Sequence, residues 1–207
     1  MSPITKRRLL GIDRSGPPPP ATVAGAPLRP WTIPNAIGYL RLAGIPAFVI
    51  VALSARHGQS VLAATLFAVI GWSDYADGFA ARLTGQYSRM GALLDPVVDR
   101  LLVLAGMAVA WRFDLLPRWA LALVIAREVA VLALSRYGLR RGVELRINWP
   151  GRVGVAPTMG APFFAILGLH TVALVMLYTG LALALAATGL YVRDGRKQLR
   201  GKVSSSA

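Results

Sequence analysis

Six apolar segments follow one another along this chain, each about as long as a helix needs to be to cross a bilayer, which takes roughly 20 residues. They cover 34–55, 60–83, 91–111, 117–136, 152–169 and 171–192. The segments are rich in Ala and Leu and lack the strict alternation of apolar and polar residues that indicates a half-buried strand. We therefore predict an all-α, polytopic membrane protein with six transmembrane helices.

The basic residues are unevenly divided among the loops, and this division predicts the topology. The formal net charge is +14, and most Arg and Lys lie in the two tails and in the second and fourth loops. Cytoplasmic loops carry such an excess. We therefore expect both termini in the cytoplasm and the protein in the plasma membrane. Basic residues that follow the topology also argue against a nucleic-acid binder, which would interleave them with aromatic residues in a soluble fold.

Three regions follow from this pattern. Residues 1–30 form a basic, proline-containing tail, 31–195 form the six-helix membrane domain, and 196–207 form a second basic tail. Apolar periodicity begins only near Ile33, whereas a secretory signal places its apolar core close behind a basic start. We therefore expect a cytoplasmic N-terminal tail and no cleaved signal.

Four of the nine acidic residues lie close together, between positions 74 and 99. Asp74 and Asp77 are three residues apart, and Asp95 and Asp99 are four apart, so each pair shares one face of a helix. The predicted topology places both pairs at the cytoplasmic ends of adjacent antiparallel helices. Ionised groups at membrane depth are costly, so these carboxylates require a polar cavity and counter-charges.

Divalent cations can supply those counter-charges. Oxygen ligands favour hard ions such as Mg²⁺, Mn²⁺ or Ca²⁺, and the chain has no Cys for a thiolate site. Two carboxylate pairs on facing helices could hold two ions about 3.5–4 Å apart, the arrangement used for in-line phosphoryl displacement. Gly78 and Gly91 would let a phosphate ligand approach the backbone. Small residues also serve close helix packing, and paired carboxylates also line ion pathways, so a small cation or proton carrier stays open.

These residues together form one string of eight fixed positions. It reads Asp74-x2-Asp77-Gly78-x2-Ala81-Arg82-x8-Gly91-x3-Asp95-x3-Asp99. The string resembles the complete signature of the CDP-alcohol phosphotransferase family, and the six-span arrangement extends the resemblance to about residues 31–195. Members of that family are integral membrane enzymes that displace CMP from a CDP-linked donor with an alcohol, using two divalent cations.

The resemblance implies a role for each position of the string. The implied metal ligands are Asp74, Asp77, Asp95 and Asp99. Asp99 is also the implied catalytic residue, acting as the general base. The positions implied to bind the cytidine diphosphate of the donor are Gly78, Ala81, Arg82 and Gly91. The implied cofactors are two divalent cations, Mg²⁺ or Mn²⁺.

Other segments resemble one branch of the family, the phosphatidylglycerophosphate synthases and actinobacterial-type cardiolipin synthases. The opening at 31–49 suggests that Asn35 and Arg41 line the donor site, although both also suit an interfacial turn and a helix anchor. Arg127 belongs to an Arg-Glu pair like the one near the branch's acceptor site, and the same pair could be purely structural. Arg152 stands where the branch usually carries Lys. We predict that Arg127 and Arg152 bind an acceptor phosphate.

The predicted reaction moves a phosphatidyl group from CDP-diacylglycerol to the hydroxyl of glycerol 3-phosphate and releases CMP. The alternative within the branch is a cardiolipin synthase with phosphatidylglycerol as acceptor. Both acceptors present a primary glycerol hydroxyl and a phosphate, so residue spacing does not separate them. The predicted partners are these lipids and the bilayer. A homodimer is compatible with the resemblance, but no residue pattern identifies its interface.

Overall fold

All regular structure in the described part of the chain is helical. A computed structural model describes residues 30–84, 88–140 and 149–204, and no strand occurs within them. The helices there are α1 (Ile33–Ser54), α2 (Val61–Thr84), α3 (Arg89–Arg112), α4 (Arg118–Arg140), α5 (Trp149–Ile166) and α6 (His170–Ser204), with a 3₁₀ turn at Arg56–Gly58. The all-α prediction is confirmed, and each predicted apolar segment corresponds to one helix.

The last helix is longer than the apolar segment that predicts it. α6 ends at Ser204, whereas the segment ends at 192. The apolar segment ends at 192, but the helix continues because the residues that follow include good helix formers and no proline. The boundary of the predicted C-terminal tail at 196 therefore falls inside a helix.

Two of the described helical stretches are long and apolar enough to cross a membrane, Ile33–Ser54 and His170–Arg193. Two shorter apolar stretches, Val61–Asp74 and Val153–Ile166, lie within α2 and α5. Charged residues interrupt α2, α3 and α4, which lowers their mean hydropathy. The six-span topology and the cytoplasmic position of both termini stay predictions.

The described residues fall into two compact units. The first contains the described part of Met1–Val51 together with Thr65–Ala105, and therefore most of α1 and α2 and the N-terminal part of α3. Its core includes Phe48 of α1 and Phe67 of α2, whose rings meet edge to face at 5.4 Å. Gly44 keeps α1 close to α2, because a Cβ at this position would lie 3.1 Å from the Ile70 side chain. This contact lies one turn from Arg41.

The second unit contains Ala52–Ala64 and the residues from Gly106 onward. In it α5 packs along α6, and α4 also contacts α6. Gly180 makes the α5–α6 crossing tight, since a Cβ there would lie 2.9 Å from Oγ1 of Thr158 and 3.0 Å from its backbone nitrogen. Trp119 of α4 stacks on Tyr178 of α6 with ring centroids 5.9 Å apart.

Candidate active site

A single buried arginine of α1 gathers two acidic side chains from α2 and α3 in the first unit. Nη1 of Arg41 donates to Oδ1 of Asp74 at 3.0 Å, and Nη2 donates to Oδ1 of Asp99 at 2.6 Å. Nε of the same guanidinium donates to the Ile70 carbonyl oxygen at 3.1 Å. Because the guanidinium is a rigid planar fork, these bonds fix where both carboxylates lie relative to α1.

The arginine and its two partners differ in exposure. The Arg41 side chain is 2% exposed, whereas those of Asp74 and Asp99 are 40% and 42% exposed. Arg41 thus offsets the charge of the two carboxylates from within the protein, and part of each carboxylate side chain stays exposed. A buried ion pair depends on such good geometry, since the cost of removing charge from water is otherwise unrecovered.

The donor set at this point fits a hard divalent cation in its chemistry. Asp74 and Asp99 converge from two helices, and carboxylate oxygens are the ligands that such ions prefer. Asp95 lies on α3, one helical turn before Asp99. Among the described side chains, no group of three or more His, Cys, Asp or Glu residues is close enough to hold a metal ion. Of the three predicted ligands whose side chains are described, the structure thus brings Asp74 and Asp99 together at Arg41.

Several predicted site residues have side chains outside the described residues. The backbone of α2 is helical through Asp77, Gly78, Ala81 and Arg82, and that of α5 is helical at Arg152. The side chains of Asp77, Ala81, Arg82 and Arg152 are not among those described. The roles assigned to these residues stay predictions.

The predicted donor-site residues Asn35 and Gly91 meet at the start of α3, together with a serine that sequence reasoning missed. Oγ of Ser88 donates to Oδ1 of Asn35 at 2.9 Å and accepts from the Gly91 backbone N–H at 3.0 Å. Nδ2 of Asn35 donates to the Pro30 carbonyl oxygen at 3.1 Å. A Ser directly before a helix is a frequent N-cap, and this signal was available in the sequence.

Arg127, the predicted acceptor-binding residue, lies in the second unit and has protein partners there. Its Nη1 forms an ion pair with Glu128, the next residue, and its Nε donates to Oγ1 of Thr188 at 3.2 Å. The Arg127 side chain is 14% exposed and that of Glu128 is 27% exposed. The pair thus links α4 to α6. The contact with Thr188 fits the structural alternative for this pair. Phosphate binding by Arg127 stays a prediction.

Comparison with known proteins gives the same family that the acidic string resembles. The sequence profile described as CDP-alcohol phosphatidyltransferase matches residues 31–188. A Mycobacterium tuberculosis protein with the provisional name cardiolipin synthase is 39% identical over 133 residues, which are 64% of this chain and 61% of that protein. The chain thus covers about three fifths of that relative's length.

Two further relatives carry more specific names. A Streptomyces coelicolor protein named cardiolipin synthase (CMP-forming) is 36% identical, over 64% of this chain and 64% of its own length. A Bacillus subtilis protein named CDP-diacylglycerol–glycerol-3-phosphate 3-phosphatidyltransferase is 31% identical, over 59% of this chain and 70% of its own length. Both names describe enzymes of phospholipid biosynthesis.

Proposed function

Because the chain belongs to the CDP-alcohol phosphatidyltransferase family, we propose that it transfers a phosphatidyl group from CDP-diacylglycerol to a glycerol hydroxyl and releases CMP. Glycerol 3-phosphate is the first acceptor proposed. The observation that carries the proposal is the convergence of Asp74 and Asp99 on buried Arg41, since both aspartates belong to the acidic string from which we predict the family.

The proposed location is the plasma membrane, with six spans and the active site facing the cytoplasm. Two long apolar helices support a membrane protein. Large apolar side chains that are more than half exposed add support, among them Trp31, Leu40, Val61 and Trp72. Such side chains are unfavourable in water but suit lipid. The cytoplasmic orientation is supported by the excess of Arg and Lys in the loops on that side.

Two divalent cations, Mg²⁺ or Mn²⁺, complete the proposed site. The residues that would hold them are Asp74, Asp77, Asp95 and Asp99. When bound, such ions neutralise the charge of the diphosphate and make its phosphorus more electrophilic. Arg41 holds one oxygen of Asp74 and one of Asp99 at fixed positions. Less reorganisation is then needed when the substrate arrives.

The proposed reaction is a single displacement at phosphorus. The acceptor hydroxyl oxygen forms a bond to the phosphorus of the phosphatidyl group, and the bond from that phosphorus to the oxygen of CMP breaks. Asp99 takes the hydroxyl proton, and its half-exposed side chain lets an acceptor reach it. A carboxylate can serve as general base if it is well placed and the transfer is concerted. No covalent enzyme intermediate is required.

The other predicted residues bind the two substrates. Gly78 and Ala81 leave room beside the α2 backbone for the cytidine diphosphate, Gly91 contributes backbone at the start of α3, and Arg82 stabilises the charge on the departing CMP. Arg127 and Arg152 bind the phosphate of the acceptor, where a guanidinium gives planar, two-pronged contacts. Much of the rate enhancement then comes from positioning and electrostatics.

Phosphatidylglycerol is the second candidate acceptor, and two of the relatives carry names that fit it. The relatives that are 39% and 36% identical are named as cardiolipin synthases, whereas the one named for glycerol 3-phosphate is 31% identical. The two acceptors share the glycerol hydroxyl and the phosphate, so the same site chemistry serves both. A cation or proton carrier finds no support in these relatives.

Thin-layer analysis of the products decides between the acceptors. Purified protein in detergent micelles receives labelled CDP-diacylglycerol, Mg²⁺ or Mn²⁺, and one acceptor at a time. With glycerol 3-phosphate as the acceptor, we expect a phosphorylated glycerolipid and CMP, formed in equal amounts. If cardiolipin, formed when phosphatidylglycerol is added, is the only lipid product, phosphatidylglycerol would replace glycerol 3-phosphate as the proposed acceptor. Absence of CMP with either acceptor would contradict the proposed transferase.

A further inference from the structure

We propose that Asn35 and Ser88 form a clamp that positions the helix carrying Asp95 and Asp99, and that Gly91 is glycine because a side chain there would open this clamp. The clamp is the hydrogen-bonded set of Asn35, Ser88 and Gly91. The inference rests on the proposed function, because it assigns positioning residues for that reaction. It gives Gly91 a role that does not depend on donor binding.

Ser88 controls how α3 begins. Its Oγ accepts the N–H of Gly91, one of the first backbone donors of the helix, which have no partner within the helix itself. The same hydroxyl donates its hydrogen to Asn35. The start of α3 is therefore bound to another helix through one side-chain oxygen.

Asn35 holds the other side of the clamp. It is 1% exposed, and its carboxamide bonds to Ser88 and to the Pro30 carbonyl oxygen. Its backbone N–H also donates to Oγ1 of Thr32 at 3.3 Å, so the first turn of α1 fixes where the side chain starts. A buried carboxamide with these bonds is costly to disturb, because its polar atoms would lose their partners away from water.

Gly91 lies where the clamp leaves no room for another atom. A Cβ at this position would lie 2.8 Å from Oδ1 of Asn35 and 3.3 Å from Oγ of Ser88. The first separation is shorter than real Cβ contacts, and the oxygen that obstructs it is held by a hydrogen bond. Alanine at 91 would therefore displace Asn35 or Ser88, whether or not a donor is bound.

The clamp is one of three close approaches between α1 and α3 that occur in the same order along both helices. Asn35 meets Ser88 and the region of Gly91, a Cβ on Gly38 would lie 3.8 Å from the Leu94 side chain, and Arg41 bonds Asp99. Two helices held at both ends of a contact line cannot slide or rotate freely against each other. Without the clamp, the bond from Arg41 to Asp99 would be the polar contact that remains of these three. Asp95 and Asp99 would then shift together.

A double-mutant cycle tests the clamp, with Asn35→Ala, Gly91→Ala and the double variant compared with wild type. We expect Gly91→Ala to lower kcat about tenfold and to change the donor KM less than twofold, within the range of coupled neighbours. The double variant should be no less active than Asn35→Ala alone, because the obstructing carboxamide is gone. Gly38→Ala is the matched control, since its Cβ makes only ordinary contacts.

Two results would overturn the clamp. One is a loss of kcat in the double variant that equals the product of the losses in the two single variants. The other is a raised donor KM as the main effect of Gly91→Ala. Ser88→Ala and Ser88→Thr give a second test, because threonine retains the hydroxyl and should restore most of the kcat that alanine loses. The thermal midpoints of the same variants in detergent are measured in parallel. These midpoints test the coupling even if the wild type releases no CMP, and that outcome would contradict only the proposed function. Additive losses in the midpoints would overturn the clamp.

Discussion

Two arginines in the apolar helices of this chain, Arg41 and Arg127, both form ion pairs, but with partners of very different origin. Arg41 bonds carboxylates that lie 33 and 58 residues further along the chain, on two other helices. The acidic partner of Arg127 is the next residue, and its long-range contact is the Thr188 hydroxyl. The first arrangement assembles side chains from three helices, whereas the second compensates a charge locally and adds one link.

The difference favours the surroundings of Arg41 over those of Arg127 as the place of the proposed chemistry. Around Arg41, one deeply buried cation holds two carboxylates that are both more exposed than it is. Around Arg127, one carboxylate already balances one guanidinium. Negative charge in excess of the buried cation suits a divalent metal, and a balanced pair suits a structural or substrate-orienting role. Substitutions at the two arginines and their partners should therefore have different kinds of effect.

The largest effect is expected at the long-range cluster, for Asp99→Asn. The substitution should lower kcat by about 10²- to 10⁴-fold, the usual contribution of a general base, while the protein stays folded. CMP release measures turnover, and size-exclusion chromatography checks the fold. Asp114→Asn is the matched control, since that exposed aspartate pairs with Arg118 at 2.6 Å in the second unit. Activity retained by Asp99→Asn would remove Asp99 as the base.

Arg41→Met should come next, because it leaves two carboxylates without their buried cation. Removing one partner of a buried pair costs about 3–5 kcal/mol, and we expect about 2 kcal/mol here because water compensates the half-exposed carboxylates. Arg118→Met, which breaks an exposed pair, should cost less than about 1 kcal/mol. Unfolding of both variants in detergent gives the comparison. Equal losses would show that Arg41 does not hold the cluster together.

Arg127→Ala should change substrate binding more than turnover. If Arg127 orients the acceptor phosphate, the acceptor KM should rise about tenfold while the donor KM stays within twofold, the pattern of a lost binding contact. Initial rates at varied acceptor and at varied donor separate the two constants. A fall in stability with unchanged KM for both substrates would instead assign Arg127 to the α4–α6 link alone.

The smallest effect is expected for Thr188→Val, which removes the hydroxyl partner of Arg127 and keeps the shape of the side chain. The loss of one hydrogen bond corresponds to about 1 kcal/mol, so the acceptor KM should rise about fivefold at most. The same steady-state assay measures it. An effect larger than that of Arg127→Ala would contradict the view that Thr188 acts by orienting the guanidinium.

Much of the fold could be predicted because it depends on local properties of the sequence. Segment length and apolarity predict the helices, and the spacing of Asp95 and Asp99 predicts a shared face. The partners of Arg41 could not be predicted, because contacts across 33 and 58 residues depend on how three helices pack. Thr188 was missed for the same reason. Ser88 was missed although its position before a helix is a recognised local signal.

In the proposed function, the carboxylates around Arg41 support a metal-dependent displacement of CMP. The most direct test measures CMP and lipid product together while divalent metal is removed by a chelator and then restored. We expect CMP and product in equal amounts, loss of both on chelation, and recovery with Mg²⁺ or Mn²⁺. CMP release that continues in excess chelator, or no CMP release with metal, CDP-diacylglycerol and either acceptor present, would contradict the proposed function.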